Sequence, residues 1–153
     1  PRRAVSRSMS SARSAELEYS DGTLLHTMDG GGTWVQQADF GDLWLDDVIF
    51  IDRRNGWIVG IDGLIMHTTD GGRTWEQQQS HTKNFLDNVF FLNPNEGWII
   101  GGGGLVLHTA DGGENWRPQW CETRYDLKAI YMTSPKEGWI VGNLGIILKY
   151  VVE

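Results

Sequence analysis

The nine-residue segment His-Thr-x-Asp-Gly-Gly-x-x-Trp occurs three times in this chain at a constant interval. It runs from His26 to Trp34, from His67 to Trp75 and from His108 to Trp116, a step of 41 residues each time. A fixed period of about 40–45 residues marks the blade repeat of a propeller. No other feature constrains the fold as tightly. The residues common to the copies include Asp29, Gly31 and Trp34, then Asp70, Gly72 and Trp75, then Asp111, Gly113 and Trp116. They read as structural, because an active site rarely needs three identical copies of itself.

The period extends beyond this segment. Gly56-Trp57-Ile58-Val59-Gly60 recurs at 97–101 and 138–142, and the apolar run Leu45–Phe50 recurs at 86–91 and 127–132. Each run is short, rich in Val, Ile, Phe and Trp, and bounded by turn residues, which is strand chemistry. The expected fold is all-β: a single domain over 1–153, built of four-stranded antiparallel propeller blades, about four per chain. The units are 1–41, 42–82, 83–123 and 124–153. In the first unit, the slots at 4–11 and 15–19 hold Arg, Ser and Ala and read as degraded. The last unit reads as truncated, with 144–152 in its third-strand slot. Six of the eight tryptophans fall in repeated slots (34, 75 and 116; 57, 98 and 139) and are expected in the core.

The net charge of −7 argues against a nucleic-acid surface, which needs clustered cations to displace counterions. The basic residues Arg2, Arg3, Arg7 and Arg13 read as a solvated terminal stretch. One cysteine, Cys121, leaves no intramolecular disulfide. No apolar run reaches the ~18 residues of a membrane helix. The sequence starts with Pro and no secretory signal is visible in it; export, and with it an extracytoplasmic location, stays open.

In the Asp-Gly-Gly turn, a short carboxylate is expected to accept backbone N–H bonds one or two residues ahead. Gly31, Gly72 and Gly113 are expected to supply positive φ. Thr33 and Thr74 are expected to start the next strand. A calcium loop needs several oxygen ligands, whereas each turn offers one carboxylate. His26, His67 and His108 are expected to be spread around the ring, each facing its own turn. No metal and no cofactor is expected.

These residues resemble the Asp-box, or BNR repeat, of sialidases, some endoglucanases and sortilin-type receptors. The fuller pattern at 56–75, with 97–116 carrying Asn115 for Thr, more closely resembles the photosystem II stability and assembly factor family. The resemblance implies a propeller, typically of seven blades, that is non-catalytic and acts as a scaffold for a protein partner. The enzymatic alternative is a sialidase-like or endoglucanase-like glycosidase, which needs a carboxylate pair. Asp42, Asp46, Asp47, Asp87 and Asp126 are the candidates. Asp46 and Asp87 are register equivalents and read equally as a repeated polar strand edge. Arg53, Arg54, Arg73, Arg117 and Arg124 sit in different slots, which disfavours an arginine triad.

Specificity in a repeat protein is expected on non-repeated loop residues. The loops entering the inner strands, 40–44, 81–85 and 121–125, differ from one another. They carry Asp42, Trp44, Lys83, Phe85, Arg124 and Tyr125, candidates for contact with a protein partner. About 3.7 units do not make a ring of seven. Because an uncovered blade face invites association, the chain is expected to form a homodimer or a closed oligomer.

Overall fold

The computed structural model describes residues 22–151. The degraded slots at 4–11 and 15–19 and the basic residues Arg2, Arg3, Arg7 and Arg13 lie outside the described residues.

Thirteen strands form four antiparallel sheets among the described residues. β1 (Thr23–His26) pairs with β2 (Val35–Asp39). β3 (Leu45–Phe50), β4 (Gly56–Gly60), β5 (Ile65–Thr68) and β6 (Glu76–Gln77) follow in sheet order. β7 (Leu86–Phe91), β8 (Gly97–Gly101), β9 (Val106–Thr109) and β10 (Arg117–Gln119) repeat that order. β11 (Leu127–Ser134), β12 (Glu137–Gly142) and β13 (Ile147–Val151) make a three-stranded sheet. Short 3-10 turns lie at Ile61–Gly63, Gly102–Gly104 and Asn143–Gly145. These sheets are propeller blades. β3 packs beside β7, and β7 beside β11, so the first strands of successive blades are neighbours.

The Gly-Trp runs are the central strands, and β4 and β8 are buried along their whole length. Their terminal glycines make room for the entering chain. A Cβ at Gly60 would lie 2.0 Å from the carbonyl oxygen of Trp44, and one at Gly101 1.9 Å from that of Phe85.

Burial lies between blades rather than within them. Trp57, Val59 and Ile65 of the second unit pack with Leu86, Val89, Phe91, Ile99, Leu107 and Trp116 of the third. Trp57 stacks on Phe91 with ring centroids 3.7 Å apart. Trp98, Ile100 and Val106 pack in turn on Leu127, Ile130, Met132 and Ile140 of the fourth. A polar relay runs alongside. Asp47 Oδ2 accepts from the backbone N–H of Val89 at 3.1 Å and from the side-chain amide of Asn88. Asn88 Oδ1 accepts from the backbone N–H of Ile130 at 3.2 Å. Ala129 occupies this position in the fourth unit and has no side chain to continue the relay.

The repeated turns are wound around their carboxylates. Asp70 Oδ1 accepts from the N–H of Arg73 and of Thr74, each at 2.9 Å, and Oδ2 accepts the Thr74 hydroxyl at 2.6 Å. The reach is therefore three and four residues ahead, not one or two. Thr33 and Thr74 close the turn rather than opening the next strand, which begins two residues later. Thr68 works from the other side: its hydroxyl donates to Asp70 and accepts the N–H of Gly72 at 2.9 Å. Asp29 and Asp111 repeat the scheme, with Asn115 donating to Asp111 in place of the threonine. Gly31, Gly72 and Gly113 have φ of 102°, 85° and 92°.

The preceding blade grips each turn. Gln37 Nε2 donates to the carbonyl of Gly71 at 2.6 Å, and its register equivalent Gln78 donates to Gly112 at 2.9 Å. Trp116 Nε1 donates back to Gln78 Oε1 at 3.1 Å, and Trp57 Nε1 reaches Gly112 O at 3.3 Å. A Cβ at Gly113 would collide with the Gln78 amide.

The expected burial of six tryptophans needs correction. Trp57, Trp98 and Trp116 are buried and Trp75 is half-buried, but Trp34 is 54% exposed and Trp139 47% exposed. Full burial of these slots needs an adjacent blade in addition to contacts within their own, such as Phe50 on Trp75 and Phe91 on Trp116. Trp139 faces the side where a following blade would sit, and Trp34 the side of a preceding one. Among the described residues no further blade packs on either, and Lys149 Nζ lies over the Trp139 ring, 5.8 Å from its centroid.

Candidate binding rim

Each inner strand carries a bulge at the same point. Pairing skips between Leu45 and Asp47, between Leu86 and Asn88, and between Leu127 and Ala129. The skipped residues are Asp46, Asp87 and Lys128. A bulge re-aims the side chain of its extra residue, and here three successive blades turn theirs toward one another. Lys128 Nζ lies 2.5 Å from Asp87 Oδ1 and 4.0 Å from Asp126 Oδ2. Burial raises the Asp46 carboxyl above its usual range, and the neighbouring Asp87 charge adds to the shift. The hydrogen bond to Asp87 raises the Lys128 ammonium. Lys128 was absent from the sequence candidates, although its slot is that of Asp46 and Asp87.

The other acidic candidates disperse. Asp47 belongs to the relay between blades. Asp126 Oδ1 accepts the backbone N–H of Gly103 at 3.0 Å. Asp42 is exposed on the rim. The arginines stay on the surface, where Arg54 Nε donates to the carbonyl of Thr69 at 3.1 Å.

The rim itself is built by backbone. The first N–H of each 3-10 turn donates to the residue that precedes the inner strand: Ile61 to Trp44 at 3.2 Å, Gly102 to Phe85 at 3.0 Å, and Asn143 to Asp126 at 2.9 Å. The aromatic side chains point outward from this fixed chain. Trp44, Phe85 and Tyr125 are 50%, 60% and 52% exposed. Trp44 and Phe85 share a register slot, whose fourth-unit occupant is Asp126. Tyr125 stands one residue earlier, so the aromatic row is two residues long.

A cleft of about 360 Å³ is lined by Asp42, Trp44, Ile61 and Phe85. Three of the six loop candidates thus come together, joined by Ile61, which sequence reasoning missed. A second groove of about 330 Å³ lies beside Asp62 and residues 77–83 and contains Lys83. Arg124 and Tyr125 line neither. Among the described residues, no group of three or more His, Cys, Asp or Glu side chains is placed to hold a metal ion. His67 stacks on Trp57 at 4.4 Å, and His108 lies against Trp98 and bonds Glu96 at 2.6 Å. No helix among the described residues is long and apolar enough to cross a membrane.

The family model described as "Photosynthesis system II assembly factor YCF48" matches residues 37–125, more than half of the chain. This chain belongs to the YCF48 family. All six loop candidates fall inside the matched stretch. A solved structure of YCF48 bound to D1 peptide is 33% identical, with a TM-score of 0.62, over 70% of this chain and 36% of that one. YCF48 from Cyanidioschyzon merolae is 20% identical, with a TM-score of 0.73, over 84% of this chain and 44% of that one, and shares the fold. The chain therefore spans less than half the length of these YCF48 structures. No curated protein sequence matches it.

Proposed function

We propose that this chain is a non-catalytic propeller module that holds a protein partner, in the manner of an assembly factor. The observation that carries this reading is the pair of exposed aromatics, Trp44 and Phe85, on backbone fixed by the blade repeat. Aromatic side chains on a rigid support are the usual anchors of protein interfaces. The relative solved with a D1 peptide supports a peptide-like partner. Immobilised chain should retain a discrete protein from a native extract. Failure to retain any would sink the reading.

The glycosidase alternative draws on Asp46, a carboxyl raised by burial beside a second carboxylate, which is how acid–base pairs are tuned. Against it, Lys128 already engages Asp87. Sialosides and β-glucans should not be turned over. Turnover abolished by changing one of Asp42, Asp46 or Asp126 would overturn the non-catalytic assignment.

We further propose that two copies associate. Trp139, Val141, Ile147 and Val151 lie exposed on one face of the last sheet, around the Lys149–Glu137 ion pair, and a second copy would remove their apolar surface from water. Light scattering at micromolar concentration should give about twice the 17.2 kDa chain mass. A monodisperse particle at the chain mass refutes it.

A further inference from the structure

The cleft between the second and third blades has a chemistry that narrows the partner. Trp44, Ile61 and Phe85 make it apolar, and Asp42 is its one charged group. Gly102 stands where the other units have Ile61 and Asn143. A Cβ there would lie 3.7 Å from Phe85 Cδ2, so the glycine leaves that side of the ring uncovered. About 360 Å³ is near the lower limit of ligand sites, room for one large side chain and not for a whole cofactor.

The surroundings add negative charge. Asp46 lies two residues beyond Trp44, and Asp126 takes the next position along the rim. The nearby cation Lys128 is already bonded to Asp87 and close to Asp126. Asp62 and Lys83 both line the neighbouring groove. The chain as a whole carries −7. A ligand that fills the apolar space therefore meets a field favouring positive charge beside it. An oligosaccharide would need several converging hydrogen-bond partners, and the lining offers a single carboxylate.

We propose that the Trp44–Phe85 cleft receives an extended segment of a partner protein, inserting one large apolar side chain flanked by Lys or Arg that pairs with Asp42. This rests on the protein-binding reading above and names where and what it binds. The segment adds no covalent step. Its selectivity comes from the apolar anchor and from the sign of the flanking charge.

Three fluorescein-labelled ten-residue peptides test it against the full chain by fluorescence polarisation. One carries Arg-Leu-Arg in a Gly-Ser frame, one Glu-Leu-Glu and one Arg-Ser-Arg. The first should bind at least about tenfold tighter than either of the others. Asp42→Asn should erase its advantage over the Glu peptide, and Trp44→Ala or Phe85→Ala its advantage over the Ser peptide. Both aromatics are exposed, so unchanged melting temperatures should accompany these losses. Equal binding of the three peptides, no binding of any, or indifference to all three substitutions overturns the proposal. Cellohexaose shifting the Trp44 indole N–H resonance in place of the peptide would replace it with a sugar site. The extract experiment keeps the two readings apart. A partner retained equally by wild type and Trp44→Ala removes this cleft and leaves the binding module standing, whereas no partner at all removes both.

Discussion

Gln78 of the second blade holds the turn of the third: its side-chain Nε2 donates to the carbonyl of Gly112 at 2.9 Å. The same amide accepts from Trp116, so one side chain satisfies two groups of the next blade. Gln78→Ala would leave Trp116 Nε1 without a partner, at a cost of about 1–3 kcal/mol for an orphaned buried group, and would leave the Gly112 carbonyl only its 3.3 Å bond from Trp57 Nε1. Urea denaturation should register that loss. Gln37→Ala, which removes a single bond to its turn, should cost less. Equal effects would contradict this assignment.

The turn carboxylates predict an acid limb to the stability curve. Hydrogen bonds from Thr33 hold Asp29 well below the ordinary carboxylate range, and those from Thr74 do the same for Asp70. Bonds from Asn115 bring Asp111 to about 2. A carboxyl lowered in the folded state contributes its stability fully above its unfolded value of about 3.9 and loses it as pH falls toward the folded value. Stability should therefore hold above about pH 5 and decline toward pH 2. Asp70→Ala should lower the melting temperature at pH 7 and flatten the acid limb. A variant with the wild-type profile at both ends would exclude this role.

The blade order was readable because each strand and turn carries its own residues, Gly-Trp here and Asp-Gly-Gly there, at one spacing. The grip between blades left a fainter trace. Gln37, Gln78 and Gln119 are 41 apart, yet glutamine in a polar strand reads as surface. The bulges left none, since a skipped pairing belongs to two strands and not to either alone. This is why Lys128 escaped notice beside Asp46 and Asp87. Trp34 and Trp139 show the converse limit. Their slots are identical to buried ones, and what differs is that no further blade packs on them among the described residues.

His67 predicts a second pH effect. Burial lowers its pKa, and the neighbouring Glu76 charge partly offsets this. Its Nε2 is buried without a hydrogen-bond partner. The unfolded chain then binds a proton near pH 6.5 that the folded chain refuses, so stability should fall as pH drops through that range. His67→Phe keeps a ring on Trp57 and should remove the dependence. NMR titration of His67 with a midpoint at or above 6.5 would contradict the prediction.

Two glycine substitutions should separate contact from conformation. Gly101 has extended backbone, with φ of −175°, and its Cβ would sit 1.9 Å from the Phe85 carbonyl. Gly101→Ala should cost more than about 2 kcal/mol through that overlap. Gly30 has φ of 76° and open space around it. Gly30→Ala should cost about 1–2 kcal/mol, from left-handed backbone alone. Chemical denaturation of both variants measures the difference.

Because each blade's apolar surface is completed by the next, cooperativity here is a nearest-neighbour property, as along a one-dimensional array. Among the described residues, Trp57 and Trp98 have a further blade on the faces they present, whereas Trp34 and Trp139 do not. Amide exchange should accordingly be slowest in β4 and β8 and fastest in β1, β2 and β13, so that the molecule frays from its flanks inward. A ligand seated between the second and third blades would clamp the most protected junction, and would leave the flanks as labile as before.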